Sequence, residues 1–322
     1  MLYFVIEDKI VNFMKKILTL TAAVIIYISA FGQQDPQFAH NMYNLLHSNP
    51  AYAGVSGEIC ASVISRQQWV GFEGAPNTTL ATVNGAFNIF NIPSGVGLSI
   101  MDDRLGFLQN FQAKLSYAYH RRIGNGTLSI GLDAGILNQD LDGQWDPPES
   151  PDDPQIPKEV KSKMVFDLGL GAFYEVKNNY YIGFSVAHIH QPKIEYTDAA
   201  ASFLRRNFYA TAGYNWRLFN SPIEMQPSAF VKFDGASMQY SVNLTALYNK
   251  KIWLGVSYRD RDAIMPMAGF QLFNGLRIGY SYELSVSKMI TASAGTHEVF
   301  LGYCFDFWKP DTKYKYRSIR YL

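Results

Sequence analysis

Leu276-Arg277-Ile278-Gly279-Tyr280-Ser281-Tyr282-Glu283-Leu284-Ser285 alternates with a period of two. Leu276, Ile278, Tyr280, Tyr282 and Leu284 fall on one side of an extended chain, and Arg277, Ser281, Glu283 and Ser285 on the other. Arg277 and Glu283 cannot face lipid cheaply, while the opposite side is wholly apolar or aromatic. The stretch therefore reads as a strand with one face for lipid and one for a lumen. The same grammar recurs upstream, where Phe111, Ala113, Leu115, Tyr117 and Tyr119 oppose Gln112, Lys114, Ser116 and His120.

Working outward, fourteen segments read as strands: 57–68, 77–90, 95–103, 109–122, 126–138, 163–176, 179–190, 206–218, 223–234, 237–249, 251–261, 264–273, 275–286 and 297–307. Alternate connections are short turns, among them Gly124-Asn125, Lys177-Asn178-Asn179, Asn249-Lys250 and Asn274-Gly275. Those in between are mostly longer, near 69–76, 104–108, 139–162, 191–205, 235–236, 262–263 and 287–296. Short turns on one side and long loops on the other predict an all-β fold, a transmembrane antiparallel barrel of about fourteen strands. An even strand number puts both barrel ends on the periplasmic side and the long loops outside.

Composition agrees. The 322 residues contain 21 Tyr and 22 Phe but only 17% charged residues, which suits a lipid-facing surface with aromatic girdles. A net charge of +1 leaves no electrostatic footprint for nucleic acid. Met14-Lys15-Lys16, the apolar run Ile17 to Phe31 and Ala30-Phe31-Gly32 form a secretory leader with cleavage before Gln33, and residues 1–13 read as an upstream extension. Residues 33–56 lack strand periodicity and are expected to be a periplasmic lead-in or partial plug. The barrel is assigned to 57–307. Gly302-Tyr303-Cys304-Phe305-Asp306-Phe307 resembles the terminal-strand signal of outer-membrane barrels, and a basic periplasmic tail, 308–322, follows.

No catalytic grouping stands out. His297-Glu298 opens a zinc-protease pattern, but Leu301 occupies the second histidine position. No nucleophile elbow or phosphate loop is present. Asn138, Asp140, Asp142, Asp146 and Glu149, with Gly143 at the turn, match the spacing of a calcium loop; an ordinary acidic surface loop is the competing reading. Cys60 and Cys304 fall at the periplasmic ends of the first and last strands, which barrel closure would pair. A seam disulfide and two unpaired thiols both remain open.

Three blocks resemble the PorP/SprF family, outer-membrane proteins of the type IX secretion system in Bacteroidetes. The first comprises Gln34-Asp35-Pro36-Gln37-Phe38 and Asn49-Pro50-Ala51-Tyr52-Ala53-Gly54. The second is Arg66-Gln67-Gln68-Trp69-Val70-Gly71-Phe72-Glu73-Gly74-Ala75-Pro76-Asn77-Thr78. The third is Ala294-Gly295-Thr296-His297-Glu298, followed by Leu301-Gly302-Tyr303. The resemblance covers essentially the whole mature chain. It implies a non-enzymatic barrel in outer-membrane lipid that assists export or surface anchoring of particular secreted proteins. Adhesin-type cargo, or its C-terminal domain, is the implied partner, and some members contribute to gliding. Other secretion components are implied as well, including a peptidoglycan-linked periplasmic protein that the tail would meet. Read from the residues, the Trp69 loop either packs over the barrel mouth, with an aromatic in the interface belt, or forms a contact surface. The rival function is a passive diffusion porin; an outer-membrane enzyme lacks its catalytic group.

Overall fold

The computed structural model describes residues 35–141, 161–195, 202–272, 275–291 and 293–305. Among them, fourteen long strands pair antiparallel in chain order: β1 (Ile59–Gln67), β2 (Asn77–Ile89), β3 (Ile92–Leu105), β4 (Leu108–Ile123), β5 (Gly126–Leu141), β6 (Val165–Val176), β7 (Tyr180–Ala187), β8 (Asn207–Tyr214), β9 (Ile223–Phe233), β10 (Met238–Tyr248), β11 (Ile252–Arg259), β12 (Ala263–Leu272), β13 (Leu276–Ser285) and β14 (Thr296–Phe305). Pairing of β1 with β14 closes the sheet. No edge is left to present unpaired backbone groups to lipid.

The predicted alternation holds in space. In β4, Leu115 is 59% exposed on the outer surface whereas its neighbour Lys114 is 4% exposed and faces inward. In β13, Ile278, Tyr280 and Leu284 face out while Ser281, Glu283 and Ser285 are buried inside. Several boundaries differ from the periodicity. β3 and β5 extend beyond their predicted ends, to Ile92–Leu105 and to Leu141. The segment 206–218 breaks after Tyr214, and Trp216–Arg217 pairs separately with β9. The loop expected at 191–205 carries a small pairing of Lys193–Ile194 with Ser202–Phe203. The leader, the tail 308–322 and most of the acidic loop (142–160) lie outside the described residues.

Cys60 and Cys304 are direct cross-strand partners and form a disulfide, with Cα atoms 4.1 Å apart. Alternation places Cys60 on the inward face with Ser62, Ile64 and Arg66. The bridge spans 244 residues of sequence, so it restricts the unfolded chain by roughly 3–5 kcal/mol. Cys60→Ser is expected to lower the urea midpoint of unfolding. A reductant should reproduce that drop in the native chain and add nothing in the variant.

Of the two expectations for the lead-in, the contacts agree with the plug: residues 35–58 run through the lumen. Its elements are short, a helical turn at Leu45–Ser48 between 3-10 turns at Asn41–Tyr43 and Pro50–Tyr52. The physical reason is burial. Phe38 packs with inward-facing Ile64, Leu80, Met101 and Phe300, Leu45 and Ala51 with Phe173, and Leu46 and Ala53 with Ala118. Together these apolar patches supply the core that a polar-lined barrel otherwise lacks.

The wall makes room where the lead-in presses closest. Gly54 adopts φ +72°, and a Cβ there would meet the backbones of Gly85 and Gly95 at 2.8 Å. A Cβ on Gly131 would lie 2.4 Å from the Ala51 amide nitrogen. Only a side chain of hydrogen fits both places. Gly131→Val should therefore displace the lead-in and leave the sheet registered. Protease cleavage within 44–56, expected to be slow in the native protein and faster in the variant, checks this; equal resistance would refute it.

Candidate functional site

The lead-in is fixed by two clusters of buried charge, both near the long-loop end of the barrel. At the first, β14 supplies Glu298, which is 1% exposed. Its carboxylate accepts hydrogen bonds from the Ala39 and His40 amides, both at 2.8 Å, and lies 2.6 Å from His40 Nδ1. Arg66 of β1 stands 3.9 Å from the same carboxylate and donates to both oxygens of Glu283 at 2.9 and 3.1 Å. Arg259 of β11 pairs with Glu283 at 3.4 Å and with Asp262 at 3.0 Å. This cluster joins β1, β11, β13 and β14 to the lead-in. Buried charges of this kind are tolerated only in such mutual pairing.

At the second, Asp35 opens the described chain. Asn207 and Tyr209 of β8 donate to its carboxylate at 2.9 and 2.5 Å, and Lys232 of β9 donates to its backbone carbonyl at 2.8 Å. His188, just past β7, lies 3.3 Å from Asp35 and 2.9 Å from Asp167. Next along, Gln37 bonds the side chain of Gln239. Burial opposes charging of His188, but the Asp35 charge and the two carboxylates it bonds outweigh that and raise its pKa to about 9. Burial likewise opposes ionisation of Asp35, yet His188 and Lys232 hold its carboxyl well below the usual range.

The pH consequence follows from those two directions. A histidine pKa raised above its ordinary 6.5 contributes stability that is full below 6.5 and lost as pH climbs through about 9. A lowered aspartate contributes above its ordinary range and is lost in acid. Thermal resistance of the folded barrel is expected to be flat between about pH 5 and 7 and to fall toward pH 10, with the alkaline fall abolished in His188→Gln. A native profile that stays flat to pH 10 would contradict the pairing.

Above these clusters, at the long-loop mouth, opens a vestibule of about 520 Å3. Asp35, Pro36 and Gln37 form part of its floor, and Arg66, Gln68, Trp69, Pro76, Asp103 and Arg259 line it. The β1–β2 loop lies against the last loop: the Val70 amide donates to the Gly295 carbonyl, the Ala294 amide to the Val70 carbonyl, and the Trp69 amide to Thr296. Trp69 lines this cavity and is half-buried. Gly71, Phe72 and Gly74 crest the loop, with Phe72 exposed.

The three sequence blocks thus converge. Asp35, Pro36, Gln37 and Phe38 form the upper lead-in, and Asn49, Pro50, Ala51, Tyr52 and Gly54 its lower half. The Asn49 side chain donates to the Ala172 and Phe184 carbonyls. Arg66 and Glu298 meet beneath the vestibule, while Gln68, Trp69, Gly71, Phe72, Gly74, Ala75, Pro76 and Gly295 build its rim. His297 points the other way, outward, 2.6 Å from the Tyr280 hydroxyl. Periodicity marked Lys114 and Glu283 as luminal, but their partners were missed. His40, His188, Lys232 and Arg259 carried no motif, although each but His40 falls at a strand end or on an inward position. For the calcium pattern, Asn138 and Asp140 belong to strand β5 and not to a loop, and both engage Ser162. Asp142, Asp146 and Glu149 lie outside the described residues.

Several solved structures align over most of this chain. The CymD monoaromatic hydrocarbon channel aligns with a TM-score of 0.48 at 12% identity, over 87% of this chain and 96% of its own. The translocator domain of autotransporter NalP from Neisseria meningitidis gives 0.46 at 14% identity, over 84% and 96%. Omp33 of Acinetobacter baumannii gives 0.45 at 10% identity, over 78% and 99%. No curated protein matches the sequence. The family described as type IX secretion system membrane protein PorP/SprF matches residues 30–303, which takes in all three sequence blocks and the closed sheet up to the last two residues of β14. The chain belongs to the PorP/SprF family of type IX secretion system membrane proteins.

Proposed function

We propose that this barrel is a non-enzymatic, plugged component that assists export or surface anchoring of particular secreted proteins, with adhesin-type cargo engaging its long-loop face. The observation that supports this most is the filled lumen. Residues 35–58 contact the wall from the long-loop mouth, at Lys232 and Gln239, to the short-turn mouth, at Asn84 and Gly95. A passive porin needs a wet, continuous path, and here apolar clusters and paired charges take that space. The loop carrying Trp69 and Phe72 offers a rigid, partly apolar rim of the sort that anchors protein contacts. Links to gliding, and docking of the basic tail 308–322 on a peptidoglycan-linked secretion component, belong to the same reading. Affinity purification from membranes, with mass spectrometry of what stays bound, tests it. Recovery of secreted adhesins or secretion components is expected. Their absence across several detergents, together with steady conductance of the native protein in planar bilayers, would favour the porin.

A further inference from the structure

The Cys60–Cys304 bridge has a third donor beside it. Glu58 precedes Cys60 by two residues, and one of its carboxylate oxygens and the two sulfurs all lie within 4.8 Å of one another. A local turn holds Glu58 there: its amide donates to Ser56 Oγ, and that hydroxyl donates back to the Glu58 carbonyl, each at 3.2 Å. Ser56 Oγ also stands 3.6 Å from Cys60 Sγ. Among the described residues no cation pairs with the Glu58 carboxylate. All three donors are half-buried, and Gly57 lines a cavity of about 530 Å3 at the short-turn mouth, which leaves room for ions to approach. A neutral disulfide makes no use of a carboxylate. Two thiolates and a carboxylate, by contrast, are a donor set for a thiophilic dication.

We propose that reduction of this bridge turns it into a zinc site, with the Cys60 and Cys304 thiolates, the Glu58 carboxylate and one water as ligands. A dithiol supplies the two electrons and two protons: it reduces the bridge to two thiols and leaves as its own disulfide. Zn2+ then displaces both thiol protons and offsets most of the negative charge that the three donors bring together. Two thiolates on one tetrahedral zinc sit about 3.8 Å apart. Cysteines whose Cα atoms are 4.1 Å apart reach that separation by rotating their side chains. Soft sulfur in two of the three protein donors selects zinc over magnesium or calcium. Three protein ligands and a water make the open form of the tetrahedral site. The ion clasps β1 to β14 at the place where the disulfide does, so the seam has one closure when oxidised and another when reduced.

Zinc titration of the refolded chain tests this, with a chromophoric chelator as competitor. The reductant is a phosphine, which takes up the oxygen of one water as it reduces the bridge and adds no thiol of its own. Circular dichroism checks that each sample keeps its sheet. The reduced chain is expected to hold one Zn2+ more than the bridged chain, and Cys304→Ser to lose that increment. Glu58→Ala should bind it at least about tenfold more weakly, since even the outer partners of a metal ligand are worth that much. The chain has only two cysteines, so thiolate-to-metal absorption with Co2+ in place of zinc reports this pair alone. Equal zinc uptake before and after reduction, or Glu58→Ala binding as tightly as the native chain, would overturn the site. Zinc should also raise the urea midpoint that reduction lowers in the native chain, and leave Cys304→Ser unmoved. A midpoint that bound zinc does not raise would overturn the clasp.

Discussion

Glu298→Ala is expected to cost about 3–5 kcal/mol, because it removes one partner of a buried charge cluster and strands the rest. The carboxylate takes two backbone amides and the His40 ring, and it stands beside Arg66. Alanine can accept none of these bonds. The amides of Ala39 and His40 would then be buried without acceptors, which the interior of a barrel tolerates poorly. For a chain of this size the loss corresponds to a fall of roughly 10 °C in the temperature at which the compact barrel unfolds. Glu298→Gln keeps an acceptor oxygen and should fall by less than half as much. Circular dichroism melts of the refolded proteins compare the two, and equal midpoints for native and alanine variants would refute the anchoring role.

Deleting residues 35–56 is expected to convert a closed barrel into a conducting one. The sheet itself does not depend on the lead-in for its hydrogen bonds: strand pairs run continuously from β1 to β14 and close on each other. The lumen does depend on it, since Phe38, Leu45, Leu46, Ala51 and Ala53 are what its inner apolar residues pack against. The remaining wall carries Lys114, Asp133, Asp167, Lys232, Arg259 and Glu283, a polar lining that water would enter. Discrete current steps in planar bilayers should appear for the deletion variant and be absent for the native protein. Silence from a correctly folded deletion variant would mean that something other than the lead-in blocks the path.

The sheet was legible because its code is local. Lys114 between Ala113 and Leu115, or Glu283 between Tyr282 and Leu284, declares which way a strand faces without knowledge of any other strand. The fourteen predicted segments correspond one to one with the long strands, with the two extended boundaries where polar residues such as Gln139 and Asp140 weaken the alternation. The lead-in was harder. Phe38, Leu45 and Leu46 follow neither a period of two nor a sustained 3.6, so the sequence marks them as ordered without saying what they pack against. The anchors were harder still. Glu298 and His40 are separated by 258 residues, and no spacing rule joins them. Arg66 was visible within a family block, yet its partner Glu283 lies on a strand distant in sequence. What the residues do reveal is the need: an inward charge in a membrane barrel must find a counter-charge.

The disulfide acquires a mechanical meaning once the path of the lead-in is known. Residues 60 to 304 become a covalent hoop, and the segment 35–58 is threaded through it like a cord through a ring. A barrel held only by hydrogen bonds between β1 and β14 could let that cord slip out sideways by parting at the join. With Cys60 bound to Cys304 the join cannot part at its short-turn end, where the cord runs into β1. Pulling on the long loops would then load the hoop without separating β1 from β14 at the bridged end.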